Sequence, residues 1–258
     1  MTQTASSVPT VSIFGFKINP LTKPELLDLV AERVSAGQRT IMTHLNLHGM
    51  AIMYESRPMA RLLSRPEVIT TIDGTPVTWM GRLQGLKLGP QNRVTSLDYI
   101  DALCRLAVER GWRIHYVGGT EQVIQDGLAV FRARYPGINL TGNNGYFSIS
   151  GPFSAREQEI LDEAAGADIL IVGMGMPRQE EWVERIEGHT KVPVIITIGA
   201  MMEYFTGSLP MPPRWLGPLG LEWAFRLVTA PRRLAYRYLV EPFVLISRML
   251  RHPTPKGE

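Results

Sequence analysis

A carboxylate at the end of an apolar strand is well placed to take a proton from a substrate hydroxyl. Asp73 stands in such a place, after the β-branched run Val68 to Ile72 and before Gly74. The same side chain could instead cap the turn Asp73-Gly74-Thr75-Pro76. His44 and His48 are further bases by type, although loop histidines also serve as plain hydrogen-bonding residues. A second constellation runs from Asp168 to Trp182. Ile169 to Val172 is apolar enough for one buried parallel strand, Gly173 and Gly175 break it, and Pro177 opens a helical run. Such a turn aims free N–H groups and the positive end of a helix above the sheet, which suits an anion; Arg178 and Gln179 add a cation and an amide donor. The alternative is an ordinary tight strand-to-helix connection with a solvated first turn.

Several chemistries lack their residues. The position three after Gly175 that should hold the last glycine of a dinucleotide fingerprint is Arg178, so no nicotinamide site is expected at this turn. Cys and His residues at zinc spacing, a D-x-D, a G-x-S-x-G elbow and a Walker lysine are absent, so neither a metal nor a cofactor is expected. Asp98 and Asp101 are three apart and belong on a helix. The single cysteine, Cys104, lies in the apolar helical stretch Leu103 to Val108 and reads as a small buried hydrophobe in a reducing compartment.

The elements that must position these residues alternate. Strands are expected at Val8 to Phe14 with a hairpin return, Arg39 to Thr43, Val68 to Ile72, Trp112 to Val117, Ile138 to Thr141, Ile169 to Val172 and Val194 to Ile198. Helices are expected after Thr22, in two short pieces broken at Pro58, from Ser96 to Arg110, from Thr120 to Tyr135, from Ser154 to Ala165 and up to Glu187, with Gly81 to Asn92 as a loop. The pattern predicts an α/β, Rossmann-like, mainly parallel sheet with helices on both faces. Ligands of such sheets sit beyond the carboxyl ends of the strands, where Asn46, Asp73, Gly118, Gly119, Gly173, Gly175, Arg178, Gln179 and Gly199 all fall.

A chain of 258 residues suffices for one large domain with an appendage, and the boundary is expected near residue 209. The N-terminal ten residues lack a signal-peptide pattern, and no window approaches a membrane span. The net charge of +3 is uneven: residues 210–258 carry seven arginines and one lysine against three glutamates, or +5. Pro210, Pro212, Pro213 and Pro218 mark an irregular connection, and Pro231 starts a last helical segment expected to kink at Pro242. On one continuous helix Arg233, Arg237, Arg248 and Arg251 fall within about 60° of each other, with Leu234, Tyr238, Leu245 and Met249 facing away. That face either packs on its own domain or another subunit, or lies on anionic lipid.

Seven segments together carry a family resemblance: Thr71 to Val77, Arg93 to Asp98, Tyr116 to Gly119, Asn144 to Phe147, Val172 to Glu180, Phe205 to Gly207 and Gly220 to Leu227. In that order the chain resembles the WecG/TagA/CpsF family of bacterial glycosyltransferases. The resemblance implies an inverting, metal-independent transfer of a sugar from a UDP-sugar to a polyprenyl-diphosphate-linked saccharide, and a basic C-terminal appendage that meets the membrane and completes the active site. By position it implies Asp73 as the base, Gln179 as an active-site polar residue and Asn46 as the asparagine after the second strand. Where some members carry a threonine two residues before that asparagine this chain has His44, next to Thr43. Met211-Pro212-Pro213 replaces an Arg-Ala-Pro, and Glu203 replaces an aspartate.

The expected site is therefore Asp73 and Gln179 as catalytic residues. Asn46, Thr43, His44, Gly118, Gly119, Gly173, Gly175, Arg178 and Gly199 hold substrate, with the donor diphosphate over the glycine turns and Arg226, Arg233 and Arg237 closing over it. Expected partners are a UDP-sugar, with glucose favoured over N-acetylmannosamine, a lipid-linked acceptor, an anionic membrane surface on the cytoplasmic side, and another copy of the chain as an option. The rival classes are a sugar-nucleotide oxidoreductase or epimerase and a non-enzymatic membrane-binding module. A nucleic-acid binder is not expected, because the basic tail lacks interleaved stacking residues.

Overall fold

The computed structural model describes residues 8–217 and 219–252; Met1 to Ser7, Pro218, Lys256 and Glu258 of the expectations above lie outside them. A hairpin of β1 (Val11–Ile13) and β2 (Phe16–Ile18) forms a small antiparallel sheet of its own. Six parallel strands follow: β3 (Thr40–Leu45), β4 (Val68–Ile72), β5 (Arg113–Gly118), β6 (Asn139–Asn143), β7 (Ile169–Gly173) and β8 (Val194–Thr197), in the order β4-β3-β8-β7-β5-β6. Both faces are covered, so β7 is buried along its whole length, as a continuous apolar run requires. Alternate residues of one strand serve opposite cores: Leu170 and Val172 join one cluster, Ile169 and Ile171 the other.

Helices α1 (Lys23–Ser35), α5 (Ser96–Arg110), α6 (Glu121–Arg134) and α9 (Met201–Phe205) cover one face. The other is covered by α2 (Leu47–Met53), α3 (Arg57–Ser64), α7 (Ala155–Glu163) and α8 (Arg178–Ile186). Neighbouring β3 and β8 thus send their chains to opposite faces, into α2 and α9. That divergence opens the crevice where parallel sheets bind ligands.

Two stretches differ from expectation. Thr75 to Leu83 is a helix, α4 (Thr75–Leu83), because Pro76 lies in its first turn, where proline favours a start rather than a stop. Gly81 lies inside α4 because a Cβ there would collide with Leu88. The terminal segment is not one kinked helix. It breaks into α10 (Glu222–Thr229), α11 (Pro231–Leu239) and α12 (Glu241–Arg251), each of the last two with a proline in its first turn. The break at Val240 separates Arg248 and Arg251 from Arg233 and Arg237. Arg233 is exposed, Arg237 turns inward, and Arg248 pairs with Glu55 at 2.7 Å and donates to the Ala51 carbonyl at 3.2 Å. Leu234 and Leu245 are buried, and Met249 packs on the core. Of the two alternatives for that face, Leu245 and Met249 take the first and dock α12 onto α2 of its own chain.

Candidate active site

Asp73 continues β4 by one residue: its N–H donates to the Leu45 carbonyl at 3.0 Å, which fixes it at the sheet edge beside β3. Asn46 caps α2 by accepting the Gly49 N–H on Oδ1 at 3.0 Å, and this leaves its Nδ2 to donate to Asp73 Oδ2 at 3.0 Å. Among the described residues nothing donates to Asp73 Oδ1. His44 Nδ1 lies 3.0 Å from the Thr197 carbonyl, which can only accept, so Nδ1 carries the proton. Its Nε2 lies 3.8 Å from Asp73 Oδ2.

The appendage roofs this edge. A cavity of about 380 Å³ has Asn46, Asp73 and Gly74 on its floor, Thr75, Trp79 and Arg93 on a wall, and Leu219, Trp223, Arg226, Arg237 and Tyr238 above. Arg226 stacks over the Tyr204 ring at 5.5 Å and Arg237 over Tyr238 at 5.7 Å. The Nε atoms of both are buried without a hydrogen-bond partner. Burial weighs against charge on Arg226, but Tyr204, Asp73, Tyr238 and Glu222 outweigh it and hold its pKa above the usual value. For Arg237 burial wins and the pKa is lowered, with Arg226 adding repulsion and Tyr238, Asp73 and Glu241 opposing. Both stay cationic at neutral pH, so their two charges share the cavity with Asp73, while Glu222 of the same lining is paired with Arg93 and Arg214. That arrangement is suited to a dianion such as a diphosphate.

Arg93 reaches the cavity through backbone pairing. Its residue bridges to Ile72 of β4, and the Val94 N–H donates to the Ile72 carbonyl at 2.8 Å. Its guanidinium is held by Asp98 at 3.4 Å and by Glu222 at 3.3 Å. His48 lines the same cavity and faces Glu241 at 2.7 Å. Of these residues, Arg93 lay in a resemblance segment but not in the expected site, and Trp79 lies in a stretch, just before the expected loop, to which no element was assigned.

The glycine turns are arranged differently from expectation. Gln179 is fully buried: its Oε1 accepts the N–H groups of Gly175 at 3.2 Å and Gly199 at 3.0 Å, and its Nε2 donates to Glu180 at 2.7 Å. The Gly175 N–H of this turn and the Gly199 N–H of the next strand end are thus taken by a protein amide, and Gln179 fixes two strand-end turns rather than facing the cavity. Arg178 folds back onto the Gly145 and Phe147 carbonyls. Gly118 and Gly173 are tight because a Cβ on either would strike neighbouring backbone, whereas the space above Gly175 and Gly199 is open. Gly119 lies beside Glu203, whose Oε2 is buried without a partner and whose pKa burial raises. None of these glycines lines the cavity, nor do Arg178, Arg233, Thr43 or His44. Thr43 is buried and its hydroxyl accepts from Thr197 at 3.0 Å. The structure brings Asn46, Asp73, Arg226 and Arg237 together in one cavity and seats the remaining expected residues along the adjoining strand ends. Among the described residues no three His, Cys, Asp or Glu side chains gather as a metal-ligand set.

The profile of the glycosyl transferase WecG/TagA/CpsF family matches residues 11–257. Curated relatives include an N-acetylglucosaminyldiphosphoundecaprenol N-acetyl-beta-D-mannosaminyltransferase of Staphylococcus aureus (strain NCTC 8325 / PS 47), 24% identical over 149 residues. The protein of that name from strain MRSA252 is 25% identical over the same length. Each alignment takes in 58% of this chain and 57% of the relative, so the chain matches little more than half of the relatives' length.

Proposed function

Because the chain belongs to the WecG/TagA/CpsF family of glycosyl transferases, we propose that it moves a hexose or N-acetylhexosamine from a UDP-sugar to a sugar already carried on polyprenyl diphosphate. The transfer inverts configuration, uses no metal, and serves the assembly of a cell-surface polysaccharide. The observation that carries this reading is Asp73, with a free Oδ1, in one cavity with the guanidinium groups of Arg226 and Arg237.

In this mechanism the acceptor hydroxyl approaches Asp73 Oδ1 and gives up its proton there as its oxygen attacks the anomeric carbon. The bond from that carbon to the diphosphate oxygen breaks on the opposite face, and the electron pair leaves with UDP. Arg226 and Arg237 hold the charge that develops, as a metal would elsewhere. Asn46 keeps Asp73 Oδ2 occupied, which leaves Oδ1 as the base. The open backbone at Gly175 and Gly199 gives the nucleoside room beside β3. An oxidoreductase is disfavoured by the same turn, since Arg178 stands where the dinucleotide fingerprint needs its last glycine and Gln179 takes the Gly175 N–H.

The sugar is the finer question. The relatives' name points to N-acetylmannosamine and N-acetylglucosamine on their side, so the decisive assay offers UDP-N-acetylmannosamine, UDP-N-acetylglucosamine and UDP-glucose with N-acetylglucosaminyl-diphosphoprenol and reads products by mass. Loss of the base in Asp73→Asn should lower turnover about 10²- to 10⁴-fold. Near-normal turnover in that variant would remove Asp73 from the role.

The appendage brings the site to the cytoplasmic membrane surface in this reading. No helix among the described residues is long and apolar enough to cross a bilayer. The surface face of α11 and α12 exposes Leu239, Phe243, Ile246 and Leu250, with Arg232, Arg233 and Arg251 also exposed. A chain ending at Leu209 should fail to pellet with anionic vesicles that capture the full chain; equal pelleting would refute the idea.

A further inference from the structure

The cavity changes character from floor to rim. Asp73 keeps only 19% of its side chain in water, whereas Trp79, Leu219, Leu221 and Trp223 line the same cavity and are 41–59% exposed. A side chain that is both wall and surface stands at the mouth. Leu83, four residues after Trp79 on α4 and therefore on the same side of the helix, is 82% exposed and extends the mouth outward. Scattered exposed hydrophobes need no explanation, but several gathered at one opening do.

We infer that this rim, half from α4 and half from the segment leading into α10, is a subsite for the isoprenoid carbons nearest the acceptor's diphosphate. The inference rests on reading the cavity as the acceptor site and says where the lipid leaves it. A prenyl diphosphate joins a dianion directly to a branched alkene chain. An acceptor whose sugar hydroxyl lies against Asp73 carries its own diphosphate one sugar ring further out, away from the donor diphosphate at Arg226 and Arg237, so its first carbons meet the next surface along the cavity, and that surface is two indoles and two leucines. Packing the chain on it removes both partners from water. The rim is shared by two parts of the chain, since the tight approach of Gly220 to Thr75 lays the 219–223 segment on the start of α4. The subsite is therefore complete only when that segment is seated.

The test uses acceptors with one head, N-acetylglucosaminyl diphosphate, and two tails, methyl and geranyl, both below their aggregation limits, with the full chain and the donor identified by the screen above. The geranyl acceptor should show a KM at least about tenfold lower than the methyl acceptor. Trp79→Ala and Leu83→Ser should each erase much of that advantage, Trp79→Phe should keep it, and Leu83→Ser, outside the cavity, should leave kcat and the methyl KM unchanged. Leu83 is so exposed that its substitution does not threaten folding. Equal KM values for the two tails in the wild-type chain would overturn the subsite and leave glycosyl transfer standing. So would a Trp79→Ala chain of normal melting temperature that lost both acceptors alike, since Trp79 would then serve the head. Transfer to neither acceptor would instead strike the underlying reading, and this inference with it.

Discussion

Asn46 and Asp73 are joined at 3.0 Å through an amide that cannot be turned round: Oδ1 of Asn46 must accept the Gly49 N–H, so Nδ2 must face the carboxylate. One side chain thus starts a helix and orients the proposed base.

Separating those two duties gives the first prediction. Asn46→Ala loses the cap, about 1 kcal/mol of stability, and frees the carboxylate to rotate, so turnover should fall roughly tenfold alongside the melting temperature. Asn46→Asp keeps an acceptor for Gly49 and should melt near the wild type, yet it sets a second carboxylate against Asp73 and should lose more activity than the alanine variant. Thermal melts beside kcat decide it; parallel losses in both variants would mean that Asn46 acts only through stability.

The arginines of the appendage divide by position. Arg237→Ala or Arg226→Ala should lower kcat/KM about 10²- to 10³-fold, as expected when a preorganised donor to developing charge is removed. The lysine variants should recover only part of this, because the charge returns without the fork. Arg233→Ala, outside the cavity, should leave kcat/KM for a soluble acceptor within about twofold and weaken only vesicle binding. Steady-state kinetics with and without vesicles tell the two classes apart.

The sheet was legible because a strand buried on both faces reads as an unbroken apolar run, as Ile169 to Val172 does, and because Thr22, Thr120 and Ser154 sit where helices begin. Asp73 and Asn46 were legible as polar residues at strand ends. The role of Gln179 was not, since it depends on the Gly199 turn that the sheet brings beside it. Arg237 could not be told from Arg233 because both lie on α11, four residues and about 40° apart, and only tertiary packing turns one of them into the cavity. Arg93 arrives through its bridge to Ile72, a pairing with no local signature.

His48 ties the appendage to α2 through Glu241, and its titration should loosen that joint in acid. Burial and Arg237 lower its pKa, more than Glu241 and Glu55 raise it. A base whose folded pKa lies below its unfolded value of 6.5 contributes its full stability above about pH 6.5 and loses it as the pH falls through the folded value. Hydrogen exchange in α12 should therefore accelerate between pH 7.5 and 5.5 beyond the intrinsic pH trend. His48→Gln, which can still donate to Glu241 but does not titrate, should flatten that excess. An unchanged excess in the variant would place the acid sensitivity elsewhere.

Glu180 titrates in the opposite sense. It is wholly buried, its Oε2 has no hydrogen-bond partner, and the Thr43 and Thr197 hydroxyls beside it are bonded to each other. Burial pushes its pKa from 4.5 to about 7, against the lowering effect of Gln179 and the two threonines. The folded chain then holds a proton that the unfolded chain releases between those values. Stability consequently falls as the pH rises from about 4.5 to 7, and the penalty is complete above 7. Glu180→Gln keeps an oxygen for the Gln179 amide and removes the ionisation, so it should be more stable than the wild type at pH 8, by up to roughly 3 kcal/mol. The gain should shrink toward zero near pH 4.5. Because Gln179 stays oriented, the variant should also keep its turnover at pH 8. A melting temperature at pH 8 no higher than that of the wild type would mean that the carboxylate finds water or a cation in solution, and the gap above Thr43 and Thr197 would be where to look for it.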